Sequence, residues 1–411
     1  MAKPQTDRVI GADGLRAWAC LWVVGHHAAQ ELAMPRDGLT GFFRAHGPQG
    51  VAVFFVLSGL LLSLPFWQAF LAGAGMPDLK KFTVRRLSRI VPGYYVCLAV
   101  MFACYHEFSA ANLVRLLSAI TFTNSFHWRT YFPVKVNGAC WSIGVEMIFY
   151  VLLPLWAVGL YRLRRLAAGR WYCVATMTGL VGFQFAVTRL WMPITPSLTE
   201  DPGDFLTLAA DWLPQRNPVG LFAHFLFGCL AASFFVRVAP VAHAARAGAE
   251  SELPGIGARL FNRWDALSIA TLVALWCDLY LTSWTWLPAP MADVINPLWS
   301  RRQLDCMSFG WPTFPLLVGV LLVSLSRSAK LGLWFDNRLF RVTATLSFGI
   351  YLWHTPLLKV LHQLWPATQF TTPVGQSLYA LTGLTLSYVV AWVSYRLVEK
   401  PALDLTRRMG F

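Results

Sequence analysis

The stretch GVAVFFVLSGLLLSLPFWQAF, residues 50–70, runs for 21 positions without one ionisable side chain. As a helix rising about 1.5 Å per residue it is about 31 Å long, the thickness of a bilayer's hydrocarbon core. Comparable stretches recur on both sides of it, at 15–33, 92–109, 141–160, 171–191, 218–238, 266–287, 307–327, 343–364 and 375–397. The pattern predicts an all-α, polytopic integral membrane bundle of about ten transmembrane helices, forming a single domain over residues 1–411. A further apolar piece, 113–125, is too short to cross and reads as interfacial or re-entrant.

Composition agrees. Hydrophobic residues make up 56% of the chain and charged residues 13%. Soluble domains carry about a quarter charged residues. The net charge of +14 does not point to nucleic acid, because the basic residues are scattered over short loops and form no tail or stripe. Counted by alternate loops, about 24 Lys and Arg fall on one side of the bundle and about 10 on the other. The rich side is the cytoplasmic one, which puts both termini inside and makes the chain a multi-pass protein of the cell's inner (plasma) membrane. The loop 192–217, with Glu200, Asp201, Asp204 and Asp211, then faces outward, and the first apolar segment reads as a retained helix. The eight cysteines include no C-x-x-C pair, so neither a metal site nor a disulfide framework is expected.

An ionisable side chain at mid-bilayer costs about 2.5–3.5 kcal/mol, so each one in a span asks for a reason. In the first segment Arg16 and His27 are eleven residues apart, three turns plus about 20°, and so share a face about 16 Å apart. Glu31, four residues beyond His27, is within hydrogen-bonding reach on the same helix. Counted from Trp141 as the outer end of its span, Glu146 lies about 7 Å deep, near the level of His27. Ser58 falls about 12 Å down from the outside, while Tyr351 stands about 12 Å and His354 about 16 Å up from the inside. Arg85, Arg86 and Arg89 stand where the third segment opens on the cytoplasm, and guanidinium forks match phosphate oxygens.

A neutral imidazole that takes a proton from a hydroxyl, with a carboxylate to orient it, is the machinery of acyl transfer. His27 and Glu146 are the candidates for those two roles. Ser58 has the chemistry of a nucleophile, but beside Gly59 in an apolar helix it more simply permits close helix contact.

Taken in order, these segments resemble the acyltransferase-3 family of bacterial-type membrane O-acyltransferases. DGLRAWACLWVVGHH is similar to the family's R-x10-H pattern at Arg16 and His27, and GVAVFFVLSGLLL to its FFxxSG element at Phe54, Phe55, Ser58 and Gly59. FTVRRLSRIVPGYY is similar to its R-x-x-R segment at Arg86 and Arg89. WSIGVEMIFYVLLPL, SFGIYLWHTPLL and VSYRLVEKP complete the series, bringing in Trp141, Glu146, Tyr351 and His354. The chain departs at Met147, where a second acid is common, and at Thr355, where an aromatic is.

The resemblance implies an acyl-CoA donor, first of all acetyl-CoA, reached from the cytoplasm and used as a substrate with no permanently bound cofactor. It implies catalysis by His27 with Glu146, and a donor site drawing on Arg16, Arg86, Arg89, Ser58, Trp141, Tyr351 and His354. The acceptor is then a hydroxyl of an extracytoplasmic glycan or other molecule. Because the chain ends ten residues past Pro401, the expectation is that it acts alone or with a separate partner. An intramembrane set of His, Glu and Arg also suits a transporter or flippase of a lipid-linked or small polar solute, although no paired broken helices are visible. A third possibility is a scaffold that recruits another enzyme.

Overall fold

In the computed structural model the described residues are 9–33, 46–104, 109–133, 137–162, 205–249, 262–282, 308–366 and 369–411, with isolated positions between them. Among these residues the fold is all-helical. The order is α1 (Ala12–Glu31), α2 (Gln49–Leu71), α3 (Leu79–Cys104), α4 (Ala110–Ile120), α5 (Trp141–Arg162), α6 (Phe205–Arg216) and α7 (Pro218–Ala249). Then come α8 (Arg263–Thr282), α9 (Thr313–Leu325), α10 (Leu331–Phe335), α11 (Arg338–Leu364), α12 (Pro373–Ser394) and α13 (Lys400–Arg408). Nine of the ten apolar segments coincide with one of these helices; the segment 171–191 lies outside the described residues, as do Glu200, Asp201 and Asp204. By length and composition, five described helical stretches suffice to cross a membrane: Gln49–Leu71, Leu79–Cys104, Gly138–Arg162, Pro218–Arg237 and Pro373–Arg408.

Helix ends follow local chemistry. Ser109, Asn337 and Thr372 each accept a backbone N–H three residues on, from Asn112, Phe340 and Gly375, and so open α4, α11 and α12. Asp265 acts at longer range: it accepts the backbone N–H groups of Ala329, Lys330 and Leu331 at 3.0 Å each, tying the start of α8 to the start of α10. Helix α3 begins well before the apolar segment at 92, so Arg86 and Arg89 sit in its second and third turns and not in a loop.

Helix α2 is the hub. Its apolar window is 78% buried, against 33% for α3 and 28% for the α12–α13 stretch. That is expected of a helix apolar on every side, which belongs within the bundle. It crosses α7 at Gly59 and Gly228, where a Cβ on either glycine would strike the backbone of the other helix. With no hydrophobic drive between helices in lipid, such close backbone approach supplies the packing. The small residue beside Ser58 therefore serves helix contact. Substituting Gly228→Val is expected to cost about 1–3 kcal/mol or more by overpacking, read as a lowered Tm of the solubilised protein; a variant that melts like the parent would disprove the close crossing.

Helices α1 and α11 run side by side and parallel. Cys20 Sγ donates to the Ser347 carbonyl at 3.7 Å, and seven residues further along both helices His27 meets His354, so the offset is 327 residues at each contact. Between the two contacts Cys20, Val24, Leu346 and Ile350 form an apolar seam closed by Ala391 of α12.

The short apolar piece behaves as an interfacial helix: α4 exposes Leu113, Val114, Leu117 and Ile120 along one face and buries Arg115 and Ala119 on the other. Beyond it the chain folds back into the bundle through two 3-10 turns, Asn124–Phe126 and Gly138–Cys140. Side chains of this fold bond to backbone carbonyls of the bundle. Ser125 Oγ donates to the Trp141 carbonyl at 2.9 Å, and Asn137 Nδ2 donates to the Leu352 carbonyl of α11 at 2.8 Å. Helix α5 consequently starts deep inside the protein.

Candidate active site

Two polar clusters occupy the bundle, and α1 contributes to both. The first lines a cavity of about 310 Å³ among α1, α2, α3, α5 and α11, with Arg16, Arg86, Arg89, Ser58, Glu146 and Tyr351 on its walls. Glu146 organises one wall: its Oε1 accepts from Ser58 Oγ at 3.1 Å and from Tyr150 OH at 2.6 Å. Its charge acts on Arg16 and Arg86. Arg86 packs its guanidinium over Phe82, 5.8 Å from the ring centroid, and its enclosed Nε has no hydrogen-bond partner. Three guanidinium groups face one small space whose walls carry one carboxylate, with Asp13 acting on Arg16 and Glu399 on Arg89 from outside those walls; guanidinium forks in such a space suit phosphate oxygens. Arg85, by contrast, is exposed and does not line the cavity.

At the other end of the cavity Tyr351 OH and Ser142 Oγ lie 2.7 Å apart, both within reach of the Ala139 carbonyl. Phe54 stands edge-on to the Tyr351 ring at 5.9 Å. The Tyr351 ring in turn lies 5.7 Å from that of His354, so this tyrosine separates the arginine cavity from the second cluster.

The second cluster is a pair of imidazoles. His354, fully buried, places Nδ1 at 2.8 Å from the Tyr351 carbonyl and 3.1 Å from the Ile350 carbonyl. Carbonyls only accept, so Nδ1 carries the hydrogen, and in a neutral ring Nε2 keeps its lone pair. That lone pair faces His27 Nδ1 at 3.0 Å, and the same His27 Nδ1 lies 3.0 Å from the Val23 carbonyl. Both neighbours of His27 Nδ1 are acceptors. The hydrogen of His27 therefore resides on Nδ1, and its Nε2 is the free base; the network assigns this tautomer. Thr355 Oγ1 lies 3.2 Å from the same His354 nitrogen, so the residue that departs from the family's aromatic gives the pair a hydroxyl.

His27 and Glu146 are not brought together. Ser142 meets Tyr351, one turn short of His354, and Glu146 is one turn further from His354 along α5. Two turns of helix are about 11 Å. The expected depth of Glu146 took Trp141 for the outer end of its span, whereas the turns at Asn124–Phe126 and Gly138–Cys140, with Trp141 itself buried, start α5 well within the bundle. The carboxylate shares the level of Arg16, and the partner of His27 is the second imidazole. Glu31 acts electrostatically on Lys359 of α11.

Trp141 is also away from the cavity: it stacks between Tyr131 and Phe309, at 5.4 and 6.3 Å, in an aromatic column. Tyr150 is the wall residue that inspection of the sequence missed. Its signal was present, since Glu146 and Tyr150 are four residues apart on one helix face. Among the described residues no three His, Cys, Asp or Glu side chains gather as a metal site.

Comparison with known proteins gives this geometry a context. The family model described as "Acyltransferase domain" matches residues 9–396. The chain is 26% identical over 429 aligned residues to "Putative peptidoglycan O-acetyltransferase YrhL" of Bacillus subtilis, covering 100% of this chain and 56% of that protein. It is 24% identical over 427 residues to "Peptidoglycan O-acetyltransferase OatA" of Listeria monocytogenes, covering 97% of this chain and 56% of that one. The chain thus spans about half the length of the curated relatives it matches. No solved structure matches it. The family match runs without a break through every segment that builds the arginine cavity and the imidazole pair: the chain is a membrane protein and belongs to the acyltransferase-3 family.

Proposed function

We propose that the protein is a multi-pass O-acyltransferase of the plasma (inner) membrane that moves an acyl group, first of all acetyl, from cytoplasmic acyl-CoA to a hydroxyl on the far side. The reading includes a ten-helix span count and cytoplasmic termini, which the loop distribution of Lys and Arg favours. The observation that carries it is the arginine-lined cavity and the base-bearing His27 at opposite ends of one helix, with Tyr351 and Phe54 between them.

In this scheme Arg16, Arg86 and Arg89 hold the phosphates of the donor, and its flexible arm carries the thioester past Tyr351 towards His27. The acceptor oxygen attacks the thioester carbonyl while His27 Nε2 takes its proton; the C–O bond forms, the C–S bond breaks, and the proton passes to the departing thiolate. His354 Nε2 accepts the Nδ1–H of His27 throughout, so it steadies the imidazolium in the role usually given to a carboxylate. Glu146 spaces the arginines. The names of the relatives favour a cell-wall glycan as the acceptor class.

The test uses the full chain in lipid nanodiscs with coenzyme A and isotopically labelled acetyl-CoA. Coenzyme A is expected to bind, and Arg86→Gln to weaken it by about tenfold, the loss of one charge-assisted contact. A protein that binds no coenzyme A, or that transports solute with no acetyl incorporated into envelope glycans, would return the reading to a transporter.

A further inference from the structure

Around the His27 end of α1 lies a group that the acyl-transfer scheme leaves unused. Arg216, the last residue of α6, holds its guanidinium 4.0 Å over the Trp212 ring and 4.9 Å over the Phe309 ring. Two faces of aromatic rings fix the plane of the guanidinium and leave its edges as the only route for hydrogen bonds. The enclosed Nε at that edge has no hydrogen-bond partner, and no carboxylate among the described residues acts on this arginine. Burial lowers it to about 10, with Tyr131 opposing, so it is cationic at neutral pH.

The position is held from below. Tyr131 OH donates to the Arg216 carbonyl at 3.3 Å, and Tyr131, Trp141 and Phe309 form the aromatic column already described. His26, whose ring is hydrogen-bonded to the Arg44 backbone, is within electrostatic reach of both Arg216 and Arg44, and its buried Nδ1 has no hydrogen-bond partner. His26 adjoins His27, with ring centroids 5.1 Å apart. Arg216 is therefore near the His27 end of α1, ten helical residues, about 15 Å, from the level of Arg16. It is separate from the donor cavity, whose walls do not include it.

A cation enclosed by rings with an unfilled donor edge costs free energy until an anion meets it. We propose that Arg216, with His26 beside it, is an acceptor-recognition site for an oxyanion, a carboxylate or phosphate ester carried by the molecule whose hydroxyl is acylated. The inference rests on the acyl-transfer reading, since it is the acceptor that approaches His27 from this end. It makes Arg216 a specificity residue: it selects acceptors that carry negative charge near the reacting hydroxyl.

The experiment uses the full chain in nanodiscs, saturated with coenzyme A so that the donor arginines are occupied. Tm is followed against glucuronate, glucose 1-phosphate and glucose, which share a sugar ring and differ in charge. At least one of the two anions is expected to bind about tenfold more tightly than glucose, and the tighter of the two identifies the source as carboxylate or phosphate. In Arg216→Gln that preference is lost, and in Arg216→Lys it is weakened about threefold or more, since an ammonium cannot fork. An Arg216→Gln protein with the parent's preference, or a parent protein that binds neither anion better than glucose, overturns the proposal. Should Arg216→Gln fail to fold, an Arg216→Lys protein with unchanged anion affinity overturns it equally. Coenzyme A binding is recorded in the same samples, so a failed anion site is told apart from a failed donor reading.

Discussion

Replacing His27 with alanine is expected to lower the turnover of acetyl transfer by roughly 10²- to 10⁴-fold, the range for loss of a positioned general base. Binding of coenzyme A should stay within a few fold of the parent, because the arginine cavity begins at Arg16, about 16 Å away along the same helix. Removing a base from the reacting centre without touching the donor site must appear in kcat and leave the donor KM nearly unchanged. Isotope incorporation from labelled acetyl-CoA, together with donor binding on the same preparation, gives both numbers. A His27→Ala protein with the parent's kcat would mean that the proton goes elsewhere.

The second large effect belongs to His354, which acts through His27. Its Nε2 accepts the Nδ1–H of His27, while two helix carbonyls hold its own hydrogen on Nδ1. Loss of one such buried hydrogen bond is worth about 1–3 kcal/mol, which corresponds to a fall in kcat of roughly 10- to 100-fold. A bare drop would not separate positioning from packing, so two replacements of similar size are compared. His354→Gln can place its side-chain oxygen where Nε2 was and accept the same hydrogen; His354→Met fills the space without an acceptor. Glutamine is expected to retain markedly more kcat than methionine at equal Tm. Equal activities in the two variants would make His354 a packing residue only.

Much of this was legible in the sequence. Residues 50–70 and their counterparts fixed where helices would be, because a run of apolar residues long enough to span a bilayer has few other uses. The common face of Arg16 and His27 followed from helical geometry alone, and the surplus of arginines at 85–89 pointed to an anionic ligand. What could not be read was which helices stand beside each other, and at what height. The pairing of His27 with Glu146 rested on taking Trp141 as a surface residue; the 3-10 turns at Asn124–Phe126 and Gly138–Cys140, which draw the chain inward, carry no apolar periodicity that would announce them. With α5 displaced by that fold, the carboxylate met Ser58 and Tyr150, and the imidazole met His354. Trp141 shows the same limit: an aromatic at the end of an apolar run reads as an interface residue, whereas here it is stacked in the interior.

The equal offset between α1 and α11 bears on how the molecule can move. A solute carrier works by rocking one group of helices against another, and a seam that must slide is unsuited to carrying matched contacts at two heights. Sliding α1 past α11 by one turn would break the thiol–carbonyl and imidazole contacts together. These two helices thus travel as a single strut, and whatever opens to admit a substrate must do so on either side of it.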